Sequence, residues 1–213
     1  MDNLIKISGF QSENRSENLT STLQSFRVEP CNRREIKEFI EKWHYSKSIN
    51  GLRISHCFKL LNNNEIIGAC IFGGIAMANV WKKYAKEEKD LIELRRLCCI
   101  DATPKNTESF FISKCLKWLK KNTDIKLVIS YADQTYNHTG IIYQASNFKK
   151  VGFTSSGRVI NHGGRLYHDK TIRTKYKGIL KPFAVKVKLA LENKEAFYQD
   201  TKPKIIYLYK LKD

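Results

Sequence analysis

The stretch from Leu91 to Ala132 constrains the fold of this chain more than any other part of its sequence. Its first ten residues, LIELRRLCCI, are apolar with three embedded charges, as expected for a strand. Thr107 to Lys121 then repeats apolar residues at helical spacing. Leu127 to Ala132 is a continuous apolar run, which is typical of a buried parallel strand. This succession of strand, helix and strand predicts an α/β sheet.

The flanking sequence predicts further strands and helices for the same sheet. Asn32 and Glu35 match the pattern that caps a helix, and apolar residues follow at helical spacing up to Trp43. Strands joined by turn residues are expected on both sides of this helix and at the end of the chain. The predicted segments are strands at Leu4–Ile7, Phe26–Cys31, Ile54–Leu61, Ile66–Phe72, Val151–Thr154 and Ile205–Leu211, an irregular helical stretch at 75–90, a helix at Thr139–Ser146 and a hairpin around Asn161–Gly164. The order predicts a mixed sheet with helices on both faces.

The length of 213 residues argues for one substantial core rather than two full domains. Residues 1–25 are expected to form a short strand and a polar tail, and residues 26–213 a single domain. In open α/β sheets, ligands bind beyond the carboxyl ends of the strands. The strand ends at Arg95–Asp101 and at Asp133 are therefore expected to border the site.

Positive charge is the strongest signal in the composition. Lys and Arg number 38 against 21 Asp and Glu, for a net charge of +17. Between Lys149 and Lys188 there are eleven basic residues and one acid, Asp169. A solvated surface usually mixes both signs, so this distribution favours a polyanionic partner over a generally basic surface. We expect residues 149–213 to form a basic, nucleic-acid-binding part, and cationic substrates are disfavoured.

The chain carries no signal for a membrane or for secretion. No window approaches the roughly 20 apolar residues of a membrane span, and the first ten residues lack the apolar core of a signal peptide. The six cysteines contain no CxxC pair, and most lie in apolar runs, so reduced buried thiols are expected. We predict a cytosolic protein without a membrane partner.

Asp133 is the strongest candidate for a catalytic residue. It follows the buried strand directly, where a carboxylate would reach the ligand-binding edge of the sheet. There it could serve as a general base, a metal ligand or a hydrogen-bond acceptor for an adenine amine, or it could simply form a turn. His44 and Tyr45 leave the first helix in a polar segment; they could be functional, or His44 could complement the helix dipole.

Charged and polar residues around the second predicted crossover are candidates for anion binding. Glu93 and the two arginines after it lie within a strand, where they could form a buried ion pair or contact a phosphate. Ser109 lies in the first turn of the next helix, with Lys105 and Asn106 as further donors, although an ordinary helix cap is the alternative. His44, Glu93 and Asp133 could also form a metal-binding set, but their sequence separation cannot test this.

Several segments resemble one family of proteins. WHYSKSI, ELRRLCCID, SYADQTYNHTGIIYQASNF and KPKIIYLYKL resemble the Mom family, phage DNA-modification proteins with a GNAT-like acyltransferase fold. The resemblance spans about residues 26–213. It implies a GNAT-like, mixed and mostly antiparallel central sheet flanked by helices. It also implies modification of the exocyclic N6 of adenine in double-stranded DNA to a methylcarbamoyl- or acetamido-type group, which protects phage DNA from host restriction in the cytoplasm of the infected bacterium.

The resemblance also implies cofactors and site residues. Acetyl-CoA is the implied donor and iron a suggested requirement of the family. Tyr45, Arg96, Ser109 and Asp133 match positions implied to matter for activity, and His44 and Glu93 are the implied companions for a metal. One departure concerns CoA: GNAT enzymes carry a glycine-rich turn for the pyrophosphate, and the matching stretch from Arg96 to Ser109 contains no glycine.

An enzyme acting on adenine N6 in a duplex is expected to flip the base and hold the phosphates. Candidate stacking residues are Tyr136, Tyr143, Tyr167 and Trp81. Candidate phosphate contacts are Arg158, Arg165, Lys170, Arg173, Lys175 and Lys177. Two alternatives remain open: a conventional N-acetyltransferase for an amine, and a DNA-binding protein without catalytic activity. The sequence leaves the oligomeric state open, a homodimer included.

Overall fold

A computed structural model describes residue 23 and residues 25–213. The predicted strand at Leu4–Ile7 lies outside these residues. The helices are α1 (Arg33–Trp43), α2 (Trp81–Tyr84), α3 (Thr107–Asn122), α4 (Ile141–Ala145) and α5 (Pro182–Glu192). The strands are β1 (Arg27–Cys31), β2 (Ile54–Asn62), β3 (Glu65–Gly73), β4 (Leu91–Cys99), β5 (Leu127–Ala132), β6 (Lys149–Phe153), β7 (Gly157–His162), β8 (Arg165–His168), β9 (Lys175–Tyr176), β10 (Ile179–Leu180), β11 (Ala196–Thr201) and β12 (Ile205–Lys210).

The main sheet has seven strands in the order β1-β2-β3-β4-β5-β12-β6. Strands β1 to β4 pair antiparallel, and β4 pairs with β5 in parallel. The α1 helix covers one face of this sheet, where Ile36 and Ile40 pack against Cys57 and Ile71. On the opposite face, Trp118 of α3 contacts Phe58 edge-on. The predicted mixed, mostly antiparallel sheet with helices on both faces is confirmed.

Local sequence explains the ends of several elements. Asn32 caps α1 by accepting the Arg34 and Glu35 amides, and the Glu35 carboxylate accepts the Asn32 amide, so the predicted capping box is present. Asn63 and Asn64 both have positive φ angles, which are required in the tight turn that joins β2 to β3. Residues 75–90, predicted as irregular helix, contain only the four-residue α2 and a 3₁₀ turn at Glu88–Asp90.

Contacts divide the chain into two compact units. Among the described residues, the first comprises those up to 130, 140–150 and 207–213, and the second comprises 131–139 and 151–206. The first unit holds β1 to β4, α1 and α3. The two units are regions of dense internal contacts. Whether residues 26–213 form the single domain expected from the sequence remains a prediction.

The second unit has its own core and its own sheet. Three antiparallel strands lie in the order β11-β7-β8, and α5 packs on one face of this sheet. The core residues are Ile160, Val187, Ala190 and Ala196, with Tyr167, Ile172 and Leu191 at its border. Residues 154–204, inserted between β6 and β12, carry twelve Lys and Arg and four Asp and Glu. Much of the basic charge predicted for the C-terminal part therefore lies on a separately cored insertion.

Candidate active site

A buried ion pair lies where the parallel pairing of the first unit ends. This pairing joins Leu91–Glu93 to Leu127–Ile129. Glu93 Oε2 lies 2.9 Å from Arg95 Nη1, and the two side chains are only 9% and 13% exposed. The same carboxylate oxygen accepts the Ala76 amide at 2.7 Å. Of the two alternatives left by the sequence, the structure has the buried pair; burial of either charge alone would be costly.

Arg96 fixes the segment that carries Tyr45. Its Nε donates to the Ser48 carbonyl at 3.1 Å, and its Nη1 donates to the Arg95 carbonyl at 2.7 Å. Burial lowers the pKa of Arg96, and the neighbouring Tyr45 and Glu93 oppose that effect. Two of its donors therefore hold backbone carbonyls rather than a ligand, so Arg96 positions the loop after α1.

Tyr45 is exposed on top of a buried histidine. The ring centroids of His44 and Tyr45 are 4.3 Å apart with an interplanar angle of 31°, and Tyr45 is 48% exposed while His44 is buried. His44 Nδ1 accepts the Ser46 amide at 3.0 Å. That nitrogen is therefore not free for a ligand, and a neutral His44 carries its proton on Nε2. The imidazole supports Tyr45, whose hydroxyl-bearing ring remains accessible.

Tyr143 is a buried phenol near the same residues. Burial raises its pKa to about 12; Ser130 opposes the rise, and the charges of Tyr45, Cys70 and Glu93 add to it. Its ring packs against Phe148 and Tyr207 at centroid distances of 5.6 and 5.3 Å. The predicted base-stacking role of Tyr143 is wrong, because a ring enclosed in this way offers no face to a base. Its phenol belongs to the aromatic packing of the first unit.

The start of α3 lacks an ordinary side-chain cap. Asn106 adopts a left-handed conformation (φ 73°) and its side chain makes no capping hydrogen bond. The Ser109 hydroxyl donates to the Asn106 carbonyl at 3.0 Å, and Lys105 is exposed. Asparagine tolerates this backbone conformation, so the turn before α3 forms although the stretch from Arg96 to Ser109 contains no glycine.

Asp133 lies in the second unit, immediately after β5, and is paired with a lysine. Its Oδ2 lies 2.7 Å from Lys204 Nζ, and its Oδ1 accepts the Thr135 amide at 3.1 Å. Burial alone would raise the pKa of Asp133, but Lys204 and Thr135 together hold it below its ordinary value. The side chain is therefore both a turn-forming cap and an ionised carboxylate.

The predicted phosphate contacts all lie on the surface of the second unit. Arg173 is tied to Asp169 at 2.6 Å, and the Arg158 guanidinium stacks 3.9 Å above the Tyr198 ring. Arg165 lies over Tyr167 at 5.2 Å. Lys170, Lys175 and Lys177 are exposed. Arginines stacked on aromatic rings and exposed lysines form a surface suited to nucleic acid.

A sequence model of the Mom protein family matches residues 25–212. The chain belongs to this family. A relative is the methylcarbamoylase Mom of Escherichia phage Mu, 27% identical over 158 residues, which cover 73% of this chain. The match spans 65% of the length of the phage Mu protein.

Two solved acetyltransferase structures are similar to this Mom family member, and the first of them supports the GNAT fold. Arabidopsis thaliana NAA60, solved in complex with acetyl-CoA, superposes with a TM-score of 0.51 over 87% of this chain and 98% of its own, at 11% identity. A Bacillus subtilis acetyltransferase in complex with CoA covers 87% of this chain and 98% of its own, with a TM-score of 0.49 and 12% identity. The predicted GNAT-like fold is confirmed. None of the helices among the described residues is long and apolar enough to cross a membrane.

The side chains suggested for iron are engaged otherwise in this Mom family member. Glu93 holds Arg95, Asp133 holds Lys204, and His44 Nδ1 accepts a backbone amide. In the described part of the chain, no group of three or more His, Cys, Asp or Glu side chains is placed to bind a metal ion. Because each of these side chains is engaged by a partner of its own, they do not fit the suggested iron site.

The sequence indicated no role for Lys204 beside Asp133, and it indicated only base stacking for Tyr143. Lys204 was one basic residue among many, and nothing local links it to Asp133. Tyr143 was noticed only as an aromatic. Gly140 was the available signal for Tyr143: it adopts φ 79° before α4, and a Cβ there would overlap the Tyr207 ring, so the aromatic packing around Tyr143 requires this glycine.

Proposed function

We propose that the chain is a DNA-modifying transferase that acts on the exocyclic N6 of adenine and protects phage DNA from host restriction enzymes. The single observation that carries this proposal is membership of the Mom family over residues 25–212. The phage Mu relative is named a methylcarbamoylase, so the transferred group is of methylcarbamoyl or acetamido type. The enzyme works in the cytoplasm of the infected bacterium, where the DNA substrate is found.

Acetyl-CoA is the proposed donor. The fold matches that of an acetyl-CoA-bound acetyltransferase, and the start of α3 fits an anionic group. The left-handed turn at Asn106 and the exposed Lys105 would hold the pyrophosphate, and Ser109, whose hydroxyl donates to the Asn106 carbonyl, would fix that turn. Arg96, proposed from the sequence for the donor, holds the loop after α1. When bound, acetyl-CoA supplies an activated two-carbon unit. We expect this binding mode to depend on Ser109 rather than on a glycine-rich loop.

The proposed mechanism gives each site residue a distinct task. Asp133, kept ionised by Lys204, accepts a proton from the adenine amine. Tyr45, exposed and supported by His44, is the proposed substrate-contacting residue of the first unit. Tyr143 is enclosed by Phe148 and Tyr207 and has a structural task in the first unit. Glu93 and Arg95 hold β4 and the Ala76 segment rather than touch the substrate.

Double-stranded DNA is the proposed partner of the second unit. Residues 154–204 carry twelve basic and four acidic residues, a balance that attracts a polyanion. Tyr136 is 45% exposed, and Tyr167 and Trp81 are partly exposed, so each can still be considered for stacking on a flipped base. The net charge of +17 disfavours the alternative of an acetyltransferase for cationic amines.

Nucleoside mass spectrometry of DNA from bacteria that express the protein tests this function. A new deoxyadenosine-derived mass is expected with the wild-type chain and not with Asp133→Ala. Modification that is abolished in Asp133→Ala while DNA binding is retained would exclude a purely DNA-binding role. Unmodified DNA, together with acetylation of a polyamine or peptide panel, would support the amine acetyltransferase instead.

A further inference from the structure

The three-stranded sheet of the second unit has one covered and one uncovered face. On the covered face, Ile160 of β7 and Ala196 of β11 pack against Val187 and Ala190 of α5. Because side chains alternate along a strand, the residues beside these in the sequence point away from the helix. These neighbouring residues form the uncovered face of the sheet.

The strand register arranges this uncovered face in two rows. Leu166, Asn161 and Phe197 lie opposite one another across β8, β7 and β11, and His168, Val159 and Gln199 form the next row. The Asn161 Nδ2 atom donates to Gln199 Oε1 at 3.1 Å, which confirms that both amides are on the same face. Phe197 is 60% exposed and Leu166 36%.

An exposed aromatic ring beside side-chain amides is suited to a nucleobase. A ring on a sheet face offers a stacking surface for a base, and amide groups can bond the edges of that base. The hydrogen bond between Asn161 and Gln199 leaves the Asn161 Oδ1 and the Gln199 Nε2 groups available as acceptor and donor. Leu166, in the same row, extends the apolar surface.

The net charge of the insertion favours a nucleic acid as the ligand of this face, whose six residues include no acidic side chain. The face lies on the insertion with twelve basic and four acidic residues. An apolar protein segment would gain nothing from that field, whereas a nucleic-acid strand would. In a duplex each base is stacked between neighbours, so only an unpaired base can lay its ring on Phe197.

We propose that the uncovered face of the β11-β7-β8 sheet binds an unpaired base of DNA, stacked on Phe197 and held by Asn161 and Gln199. This inference rests on DNA as the partner in the proposed function. It adds that the enzyme holds a locally opened strand on a platform built from the insertion.

Binding of fluorescent oligonucleotides to the full-length protein tests the platform. A single strand and a duplex of the same sequence are titrated at one fixed salt concentration by fluorescence anisotropy. Phe197→Ala should weaken single-strand binding about tenfold or more, Phe197→Tyr should largely restore it, and duplex binding should change little. Asn161→Ala should weaken single-strand binding by a smaller factor.

Leu189→Ala is the matched control, because Leu189 is an exposed apolar residue of α5, 51% exposed, that lies outside the platform. Its single-strand affinity should stay within about twofold of wild type. Circular dichroism and thermal unfolding establish that each variant is folded; should Phe197→Ala not fold, Phe197→Gln takes its place. Single-strand binding unaffected by loss of the Phe197 ring, or an equal loss for Leu189→Ala or for the duplex, overturns the proposal.

This outcome is separable from the proposed function. If the wild-type chain modifies adenine and Phe197→Ala binds single strands normally, the platform is excluded and the proposed enzymatic function stands. If Phe197→Ala loses single-strand binding and the wild-type chain yields no modified nucleoside, the platform stands and the proposed enzymatic function is excluded.

Discussion

Lys204 Nζ lies 2.7 Å from Asp133 Oδ2, so the candidate base of this protein is held by an ion pair within the second unit. The Asp133 side chain is 12% exposed and that of Lys204 is 45% exposed. Burial by itself would raise the pKa of the carboxyl group; the lysine and the Thr135 amide reverse the direction. Asp133 is therefore ionised at neutral pH, as a general base must be.

Replacing Lys204 should change the pH dependence of DNA modification. In Lys204→Met, the burial of Asp133 is no longer offset by the ammonium group, so its pKa rises. The acidic limb of the rate profile should then move to higher pH, and the rate at neutral pH should fall less than in Asp133→Asn. Initial rates of nucleoside modification between about pH 4 and pH 8, the range above the ordinary carboxyl pKa, measure this shift.

Lys202→Met is the control for this experiment, because it removes an exposed positive charge two residues away. An acidic limb at the same pH in Lys204→Met and wild type would contradict the role of the pair.

The lowered pKa of Asp133 also predicts how the stability of the fold depends on pH. Stabilisation by ionised Asp133 is complete above the unfolded-state pKa of about 4 and is lost only as the pH falls through the lower folded-state value.

The buried Glu93–Arg95 pair should matter for stability more than any surface pair. Glu93→Gln leaves the Arg95 charge buried without its counter-charge, and we expect the free energy of unfolding to fall by about 3 kcal/mol. The double variant Glu93→Gln with Arg95→Met should lose less than the single one. Urea unfolding followed by circular dichroism measures both. Glu87→Gln, which breaks the exposed pair with Lys89, should cost less than about 0.5 kcal/mol.

Two glycines with positive φ should respond differently to alanine. Gly140 has φ 79°, and an added Cβ would overlap the Tyr207 ring, whereas Gly163 has φ 57° and open space around it. Gly163→Ala should cost only the backbone strain of about 1 kcal/mol. Gly140→Ala should cost at least about 2 kcal/mol more, because overpacking adds to the strain. Equal midpoints in thermal unfolding would contradict the packing around Tyr143.

Elements with strong local signals could be predicted from the sequence. The capping box at Asn32 and the asparagine turn after β2 are local, so their residues alone specify the geometry. Leu127–Ala132 was predicted with the observed bounds because a short uninterrupted apolar run is typical of a strand that is buried on both faces of a sheet. The resemblance to the Mom family added the fold type.

Elements of the insertion could not be predicted in the same way. In α5 the buried positions are Ala184, Val187 and Ala190, while Phe183 and Leu189 are exposed, so the larger apolar side chains lie on the wrong side of the helix for a periodicity argument. The β11 strand contains mostly exposed residues and gives little alternation. The positions of α5 and β11 therefore depend on packing within the insertion rather than on the local pattern of apolar residues.

The candidate site was predicted only in part for a related reason. Asp133 and Tyr45 stand at element ends, where a side chain is available for chemistry, and the sequence identifies such ends. The partner of Asp133 comes from a segment far along the chain, while Glu93 and Arg95 lie two residues apart on one strand and so share a face. The Asp133–Lys204 contact therefore has no signature near Asp133, whereas the Glu93–Arg95 pair was one of two alternatives that the sequence offered.

The basic surface of the insertion should determine the salt dependence of DNA binding. Lys170, Lys175 and Lys177 are exposed and make no ion pair with another described residue, so each is available to displace a counterion from a phosphate. Each Lys→Ala change should reduce the slope of log K against log salt by about 0.9 for duplex DNA and weaken binding equally for different sequences. Lys120→Ala, an exposed lysine of α3 in the first unit, should leave the slope unchanged. Affinities of a duplex measured between about 50 and 200 mM salt give the slopes. A triple variant with the slope of wild type would place the phosphate contacts elsewhere on the chain, because counterion release depends on which charges meet the backbone and not on the net charge of the protein.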